Sequence, residues 1–150
     1  MADTAVHPSE FAGLFLEDLT VGQTAVFAKT VTEADIVLFA GVTGDTNPAH
    51  LNQEYAETTM FKGRIAHGML AAGFISAVLG TKLPGPGTIY LSQSLKFKAP
   101  VRIGDTVVAR VTVSAIVPEK KRVTLTTTAQ VGSTIVVEGE AVVMAPSRGG

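Results

Sequence analysis

The sequence predicts one α+β domain in which an antiparallel sheet wraps around a long central helix. The second half of the chain alternates apolar and polar residues with a period of two, which is typical of half-buried strands. Residues 67–83 are largely apolar and too long for a strand, and they follow segments that read as strand, helix and short helix. A chain of 150 residues buries roughly 70% of its unfolded surface around a single core. We therefore assign residues 1–150 to one domain, with a flexible N-terminal stretch at about 1–12 and a disordered tail at about 146–150.

The elements of the first half follow from local signals. Residues 23–31 (QTAVFAKTV) predict a strand. A capping box from Thr32 to Asp35 begins a helix that ends at Gly44, and a polar loop then leads to a short helix around 53–59. The segment 67–83 (HGMLAAGFISAVLGTKL) predicts the long helix, whose small residues would let a sheet approach closely.

The second half predicts strands at residues 88–99, 106–117, 122–131 and 134–145. Pro100 and the pair Gly104 and Asp105 separate the first two strands. Gly132 and Ser133 separate the last two, and this spacing indicates a tight hairpin. We therefore expect these four consecutive strands to form an antiparallel meander.

Composition excludes several classes of function. The chain has 12 basic and 13 acidic residues, a balance that argues against a nucleic-acid partner. It has no window of about 18 uncharged apolar residues and no basic segment followed by an apolar one at its start, so we expect no membrane partner, no signal peptide and a cytoplasmic location. The absence of cysteine excludes disulfides, a thiolate nucleophile and a Cys-ligated zinc. No cluster with the spacing of metal ligands is present, and we expect no metal.

The loop at residues 44–50 (GDTNPAH) is the first candidate site. Asp45 lies just past a predicted helix end and His50 follows five residues later, while Pro48 restricts Asn47 to extended geometry. Such a loop can hold a carboxylate and an imidazole close together, and this pair can take one proton from water and place another on carbon. The alternative is structural: Asp and Asn after a helix often form turns or cap the next helix.

The start of the long helix is the second candidate. A helix N-terminus stabilises developing negative charge, and Gly68 leaves room there for a carbonyl group to approach. Equally, Gly68 could serve close packing alone, and the neighbouring His67 could be a core histidine. Ser76 is a lone hydroxyl in an apolar helix, where most serines bond to the carbonyl four residues back.

The motif around Asp45 resembles a known family. Residues 39–50 (FAGVTGDTNPAH), with Ala56 six residues later, are similar to the signature of MaoC-like, R-specific enoyl-CoA hydratases. The resemblance continues through 65–70 (IAHGML) and 90–97 (YLSQSLKF), and it covers about residues 15–145. Ala49 departs from the larger aliphatic residue that is usual there, which loosens the packing but removes no functional group. The family has the hot-dog fold, in agreement with the predicted order of elements.

The resemblance implies reversible hydration of a trans-2-enoyl-CoA to a (3R)-3-hydroxyacyl-CoA, with short acyl chains preferred. Asp45 and His50 fall on the catalytic residues, and the backbone N–H of Gly68 falls on the donor to the thioester oxygen. Leu79 falls on a residue that limits acyl length. Supporting roles fall on Asn47, His67 and Ser76. No cofactor is implied, because coenzyme A is part of the substrate.

The mechanism implied is syn addition of one water molecule. His50 would take a proton as the water oxygen attacks the β-carbon, and Asp45 would deliver a proton to the α-carbon. The sequence leaves open which residue handles which proton, and whether hydration supplies polyhydroxyalkanoate monomers or dehydration serves another route.

The resemblance also bears on assembly and on rival functions. Exposed sheet edges are hazardous, and hot-dog proteins pair their sheets, so we expect a homodimer with coenzyme A near the interface. Arg64 or Lys62 could meet one of its phosphates there. The rivals are a dehydratase of acyl-carrier-protein thioesters, a hot-dog thioesterase, and a non-catalytic acyl-CoA sensor.

Overall fold

A computed structural model describes residues 5–150 of the chain. Within them, six strands form one antiparallel sheet: β1 (Thr24–Thr30), β2 (Ile89–Gln93), β3 (Lys96–Phe97), β4 (Thr106–Val117), β5 (Arg122–Val131) and β6 (Thr134–Met144). The helices are α1 (Glu33–Thr43), α2 (Pro48–Leu51), α3 (Gln53–Glu57) and α4 (Gly68–Thr81). Short 3-10 turns cover Pro8–Phe11, Leu16–Asp18 and Pro118–Lys120. None of the helices among these residues is long and apolar enough to cross a membrane.

Helix α4 is the centre of the core, as the sequence predicts. It packs against β1, β4, β5 and β6, and its buried side chains include Phe74, Ile75 and Val78. In β4, alternate residues from Val107 to Val113 are buried, which matches the predicted period of two. Because each fully buried aliphatic side chain contributes about 1.5–3 kcal/mol, this layer of sheet on helix is the main source of stability.

The strand order corrects one prediction. β4, β5 and β6 form consecutive hairpins, but β2 and β3 pair with β6 at the far side of the sheet, and β1 lies beside β4. The predicted four-strand meander is therefore wrong for its first strand, residues 88–99, which pairs with β6 and not with β4. The link between β3 and β4 is not a tight turn: Val101 is buried and accepts a hydrogen bond from Ala66 N (2.7 Å), and Gly104 N donates to Val31 O (2.8 Å).

The predicted strand at 88–99 is divided into β2 and β3. Ser94 interrupts it where the chain passes over Gly139 of β6, since a Cβ on Gly139 would lie 1.8 Å from the carbonyl oxygen of Ser94. The pairing of β2 with β6 also shifts register between Tyr90 and Ser92. A break of this kind leaves no mark in the apolar alternation of the strand itself.

Helix α1 begins and ends where the sequence predicts. Thr32 Oγ1 accepts from Asp35 N (3.2 Å), and the Asp35 carboxylate accepts from Thr32 N (2.9 Å). A 2.7 Å contact from Lys29 Nζ, with these bonds, holds the pKa of Asp35 below its ordinary value. Gly44 ends the helix with φ of 80°, and its N–H donates to Ala40 O (2.9 Å). This stop places Asp45 directly beyond the helix end.

The short helix predicted around 53–59 is observed as α3, and the segment predicted as a polar loop before it contains an additional helix, α2. Asn47 Oδ1 caps α2 by accepting from Ala49 N (3.0 Å), and Asn52 Oδ1 caps α3 by accepting from Tyr55 N (3.0 Å). The extra helix matters for function because it carries His50 in its single turn.

The C-terminal segment packs against residues 16–18. Residues 1–4 of the predicted flexible stretch lie outside the described residues, and 8–11 form a 3-10 turn. The segment expected as a disordered tail contacts the N-terminal part of the chain: Leu16 N donates to Pro146 O (2.8 Å), and Arg148 pairs with Asp18 (2.8 Å).

Candidate active site

Three polar side chains, two from the segment 45–50 and one from residue 67, lie close together beside the N-terminus of α4. One side-chain polar atom each of Asp45, His50 and His67 lies within 4.8 Å of those of the other two. His67 is 2% exposed and His50 9%, whereas Asp45 is exposed to solvent. A carboxylate open to water beside two nearly buried imidazoles is an arrangement suited to proton transfer.

His50 is held in one tautomer by the backbone. Its Nδ1 lies 2.8 Å from the carbonyl oxygen of Ile65. A carbonyl oxygen only accepts hydrogen bonds, so Nδ1 carries a proton and donates it there. Nε2 is therefore the ring nitrogen of His50 that can exchange a proton with a reacting molecule.

His67 links the two predicted catalytic residues. Its Nε2–H donates to the backbone carbonyl oxygen of Asp45 (2.8 Å), and its ring stacks on the His50 ring with centroids 3.8 Å apart. The ring of Phe39 packs on the His67 imidazole, with ring centroids 4.7 Å apart. The Nδ1 atom of His67 has no hydrogen-bond partner within residues 5–150. These contacts fix the loop of Asp45 against the ring of His50.

The same three side chains each offer one possible metal ligand, and these atoms lie within 4.8 Å of one another. Two of the four imidazole nitrogens are already engaged, because His50 Nδ1 and His67 Nε2 each bond to a backbone carbonyl oxygen. Each ring therefore has one nitrogen left for another partner. The expectation of no metal stays a prediction.

An open cleft of about 440 Å³ reaches the two histidines of this cluster: its wall includes His50, His67 and Gly68, but not Asp45. Most of the other lining residues are apolar, and Lys98 is the charged one. At Gly68 a Cβ would lie 2.6 Å from the Cδ1 atom of Phe97, so the ring of Phe97 occupies the space of the missing side chain. This observation favours the reading in which Gly68 serves close packing, and its role as a donor to the thioester oxygen stays a prediction.

A second cleft of about 500 Å³ contains Ser76, and Met69 lines both clefts. Ser76 is exposed and its hydroxyl makes no hydrogen bond within the described part of the chain, so the usual bond to the carbonyl four residues back is absent. Tyr90 lines the same cleft, and burial raises the pKa of its phenol. The structure thus does not place Ser76 in the cleft of His50.

Leu79 is 1% exposed and belongs to the hydrophobic core between α4 and the sheet. It lies in the wall of neither of these clefts. Its role in limiting acyl length stays a prediction. Asn47 is found as the cap of α2, a position from which it supports His50 through the backbone.

Arg64 has a role that the sequence does not reveal. It was a candidate for binding phosphate, but its Nε donates to His50 O (2.6 Å) and its Nη1 and Nη2 atoms contact both carboxylate oxygens of Glu33 (2.9 and 3.0 Å). Glu33 lies 31 residues earlier in the chain, and no sequence pattern predicts a contact at this separation. The other candidate, Lys62, is exposed with φ of 57°.

The antiparallel sheet around α4 defines a hot-dog fold, and the Asp–His pair beside the first turn of α4 is suited to adding or removing water. The chain belongs to the family of MaoC-like domains, which matches residues 18–138. The predicted family and fold are thereby confirmed.

Proteins of known identity are similar over almost the whole chain. An (R)-specific enoyl-CoA hydratase of Rhodospirillum rubrum is 67% identical over 135 residues, which cover 90% of this chain and 94% of the relative. A 3-hydroxybutyryl-CoA dehydratase of Methylorubrum extorquens is 50% identical over 93% of this chain and 88% of its own. Among solved structures, the (R)-hydratase of Aeromonas caviae involved in PHA biosynthesis matches with a TM-score of 0.84 and 46% identity, over 87% of this chain and 99% of that one.

Proposed function

We propose that this protein is a hydro-lyase that adds water to trans-2-enoyl-CoA and forms (3R)-3-hydroxyacyl-CoA, reversibly. The observation that carries the proposal is the pair of Asp45 and His50, whose side-chain polar atoms lie within 4.8 Å of each other, with His50 in the wall of a cleft that also includes Gly68. The similarity to an (R)-specific enoyl-CoA hydratase and to a 3-hydroxybutyryl-CoA dehydratase supports it. Polyhydroxyalkanoate synthesis, the context of the Aeromonas caviae enzyme, is one use of such a product.

Hydration needs one proton taken from water and one proton given to the α-carbon. The water oxygen bonds to the β-carbon, the electrons of the double bond move to the α-carbon, and Asp45 and His50 divide the two proton transfers between them. The tautomer of His50 assigns its share to Nε2. A proton then passes between the two residues and restores both. Each positioned acid or base contributes about 10²–10⁴-fold.

The thioester oxygen gains negative charge during this addition. The first N–H groups of a helix have no partner within it, and the helix dipole adds partial positive charge there. We assign the N–H of Gly68, the first residue of α4, as the donor to this oxygen. One such donor contributes about 3 kcal/mol to transition-state stabilisation. All groups in this scheme come from the chain itself, so the proposal includes no metal and no cofactor.

We also propose that the enzyme is a homodimer that prefers short acyl chains. The outer edge of β2 has no strand partner among residues 5–150, and Ile89, Tyr90 and Leu91 of this strand are 55%, 40% and 42% exposed. An exposed apolar edge of this kind favours pairing with another strand. Light scattering on the purified protein measures the mass in solution, and a monomer at micromolar concentration would contradict the dimer.

The test of the activity is the reaction with crotonyl-CoA, followed by loss of the enoyl-thioester absorbance and by chiral analysis of the product. We expect rapid loss, an intact thioester and the R product. Release of free coenzyme A would identify a thioesterase. Turnover of a crotonyl acyl-carrier protein but not of crotonyl-CoA would identify a carrier-protein dehydratase, and no turnover of either would favour a sensor.

A further inference from the structure

The peptide segments around His50 and Arg64 are joined by three hydrogen bonds. Ile65 N donates to Ala49 O (3.3 Å), Arg64 Nε donates to His50 O (2.6 Å), and His50 Nδ1 donates to Ile65 O (2.8 Å). Two of these bonds fix the backbone on either side of the His50 Cα, and the third fixes its ring. We propose that Arg64, oriented by Glu33, is a positioning residue for His50. This inference rests on the proposed function.

His50 needs such support because its helix is short. Helix α2 has four residues, and a single helical turn has too few internal hydrogen bonds to be stable in water. Asn47 caps the start of α2. The carbonyl groups of its last residues have no following helical turn whose N–H groups could donate to them. The hydrogen bond from Arg64 satisfies one of these carbonyl groups, that of His50 itself. It thereby fixes the backbone from which the His50 side chain extends.

The Arg64 guanidinium is itself fixed by Glu33. Both of its terminal nitrogens contact that carboxylate, while Nε is directed at His50 O. The Arg64 side chain is 16% exposed and that of Glu33 is 56% exposed, so the arginine is shielded from solvent while the carboxylate is open to it. Glu33 is the first residue of α1, and Asp45 follows the end of the same helix after Gly44. Helix α1 thereby helps to position both members of the catalytic pair: its first residue holds Arg64 against His50, and its end precedes Asp45.

A planar fork is required for this double contact. Lysine carries one ammonium group, which cannot donate to the His50 carbonyl and also form two parallel bonds with a carboxylate. R64K therefore keeps the charge opposite Glu33 and loses the geometry. E33Q keeps the arginine and loses the charged partner that orients it. R148A, which removes the ion pair with Asp18 near the chain ends, is a matched control.

The competing role for Arg64 is contact with a phosphate of coenzyme A. The two roles are distinguished by comparing crotonyl-CoA with crotonyl-pantetheine, which lacks the nucleotide and its phosphates. Initial rates for the wild type and the variants R64K, R64A, E33Q and R148A give kcat and KM with each substrate, and thermal melting reports the fold.

We expect R64K and R64A to lower kcat roughly 10- to 100-fold with either substrate, with KM changed less than about threefold, since small misplacement of a reacting group has costs of this size. E33Q should lower kcat by a smaller factor, and R148A should leave it unchanged. Wild-type kcat in R64K and E33Q would overturn the inference. So would a rise in KM seen with crotonyl-CoA alone, which would assign Arg64 to phosphate binding. An inactive wild type would instead refute the proposed function, while R64K and E33Q keep the test valid if R64A does not fold.

Discussion

Replacing Gly68 by alanine tests the close packing of the first turn of α4 against the ring of Phe97. The new Cβ would lie 2.6 Å from Cδ1 and 2.7 Å from Cε1 of Phe97. Nonbonded carbon atoms are optimally about 3.5–4.0 Å apart, so the ring or the helix must move by roughly 1 Å. Phe97 is 54% exposed, which lets part of this movement be absorbed at the surface.

Two magnitudes follow for G68A. Overpacking of a filled site costs about 1–3 kcal/mol, and the exposure of Phe97 places the loss of stability at the low end of that range. A displacement of about 1 Å at a reacting group costs about 10²-fold in rate. We therefore expect kcat for crotonyl-CoA to fall roughly 10- to 100-fold, with the protein still folded.

Enoyl-thioester hydration rates and thermal melting check this expectation, with two further variants. G80A lies on the same helix with nothing within 4 Å of its Cβ, so it should keep full activity and gain about 0.5–1 kcal/mol of stability. Adding F97A to G68A removes the overlapping ring and should recover most of the activity of F97A alone. Wild-type kcat in G68A, or no relief from F97A, would refute the reasoning.

Three other changes have expected outcomes. H67Q keeps an N–H group that can reach Asp45 O but loses the stacked ring, whereas H67F keeps a ring and loses the N–H group. We expect H67Q to retain the higher kcat, because the hydrogen bond anchors the Asp45 backbone. The pKa of Asp35 is lowered in the folded state, so its carboxylate stabilises the protein above the unfolded value near 3.8 and this contribution is lost as the pH falls below it. D35N should therefore melt below the wild type at pH 7, and the gap should close at acid pH; a gap that is constant with pH would contradict this. G139A places a Cβ 1.8 Å from Ser94 O, and denaturant titration should show a loss of about 3 kcal/mol or more, whereas wild-type stability would show that β2 can move away.

Local signals predicted much of the fold. The capping box of Thr32 and the stop at Gly44 define α1 because both act through bonds within four residues. The alternation in β4, β5 and β6 predicts their bounds closely because one face of each strand is buried. Strand order depends on contacts between distant segments, and for that reason the position of β2 beside β6 was missed.

In the candidate site, too, the residues linked by short sequence separation were predictable, and the contacts between distant segments were not. Asp45 and His50 could be singled out because they are only five residues apart in a polar segment, and the structure brings their side chains together. The three-bond link to residues 64–65 and the ion pair with Glu33 join segments 14 to 31 residues apart, and no spacing in the sequence announces them. Ser76 is placed in a neighbouring cleft of the single chain, so any part it plays beside His50 stays a prediction.

In the proposed function, Asp45 and His50 together add water to an enoyl thioester. The most direct measurement is the rate and product configuration with crotonyl-CoA for the wild type, D45N and H50Q, with H7Q as a control because His7 only caps a 3-10 turn near the N-terminus. We predict a fast reaction to the R-configured 3-hydroxy thioester in the wild type and H7Q, and a loss of at least about 10²-fold in D45N and H50Q with unchanged melting. Retention of most of kcat in either variant, or an S-configured product from the wild type, would contradict the account.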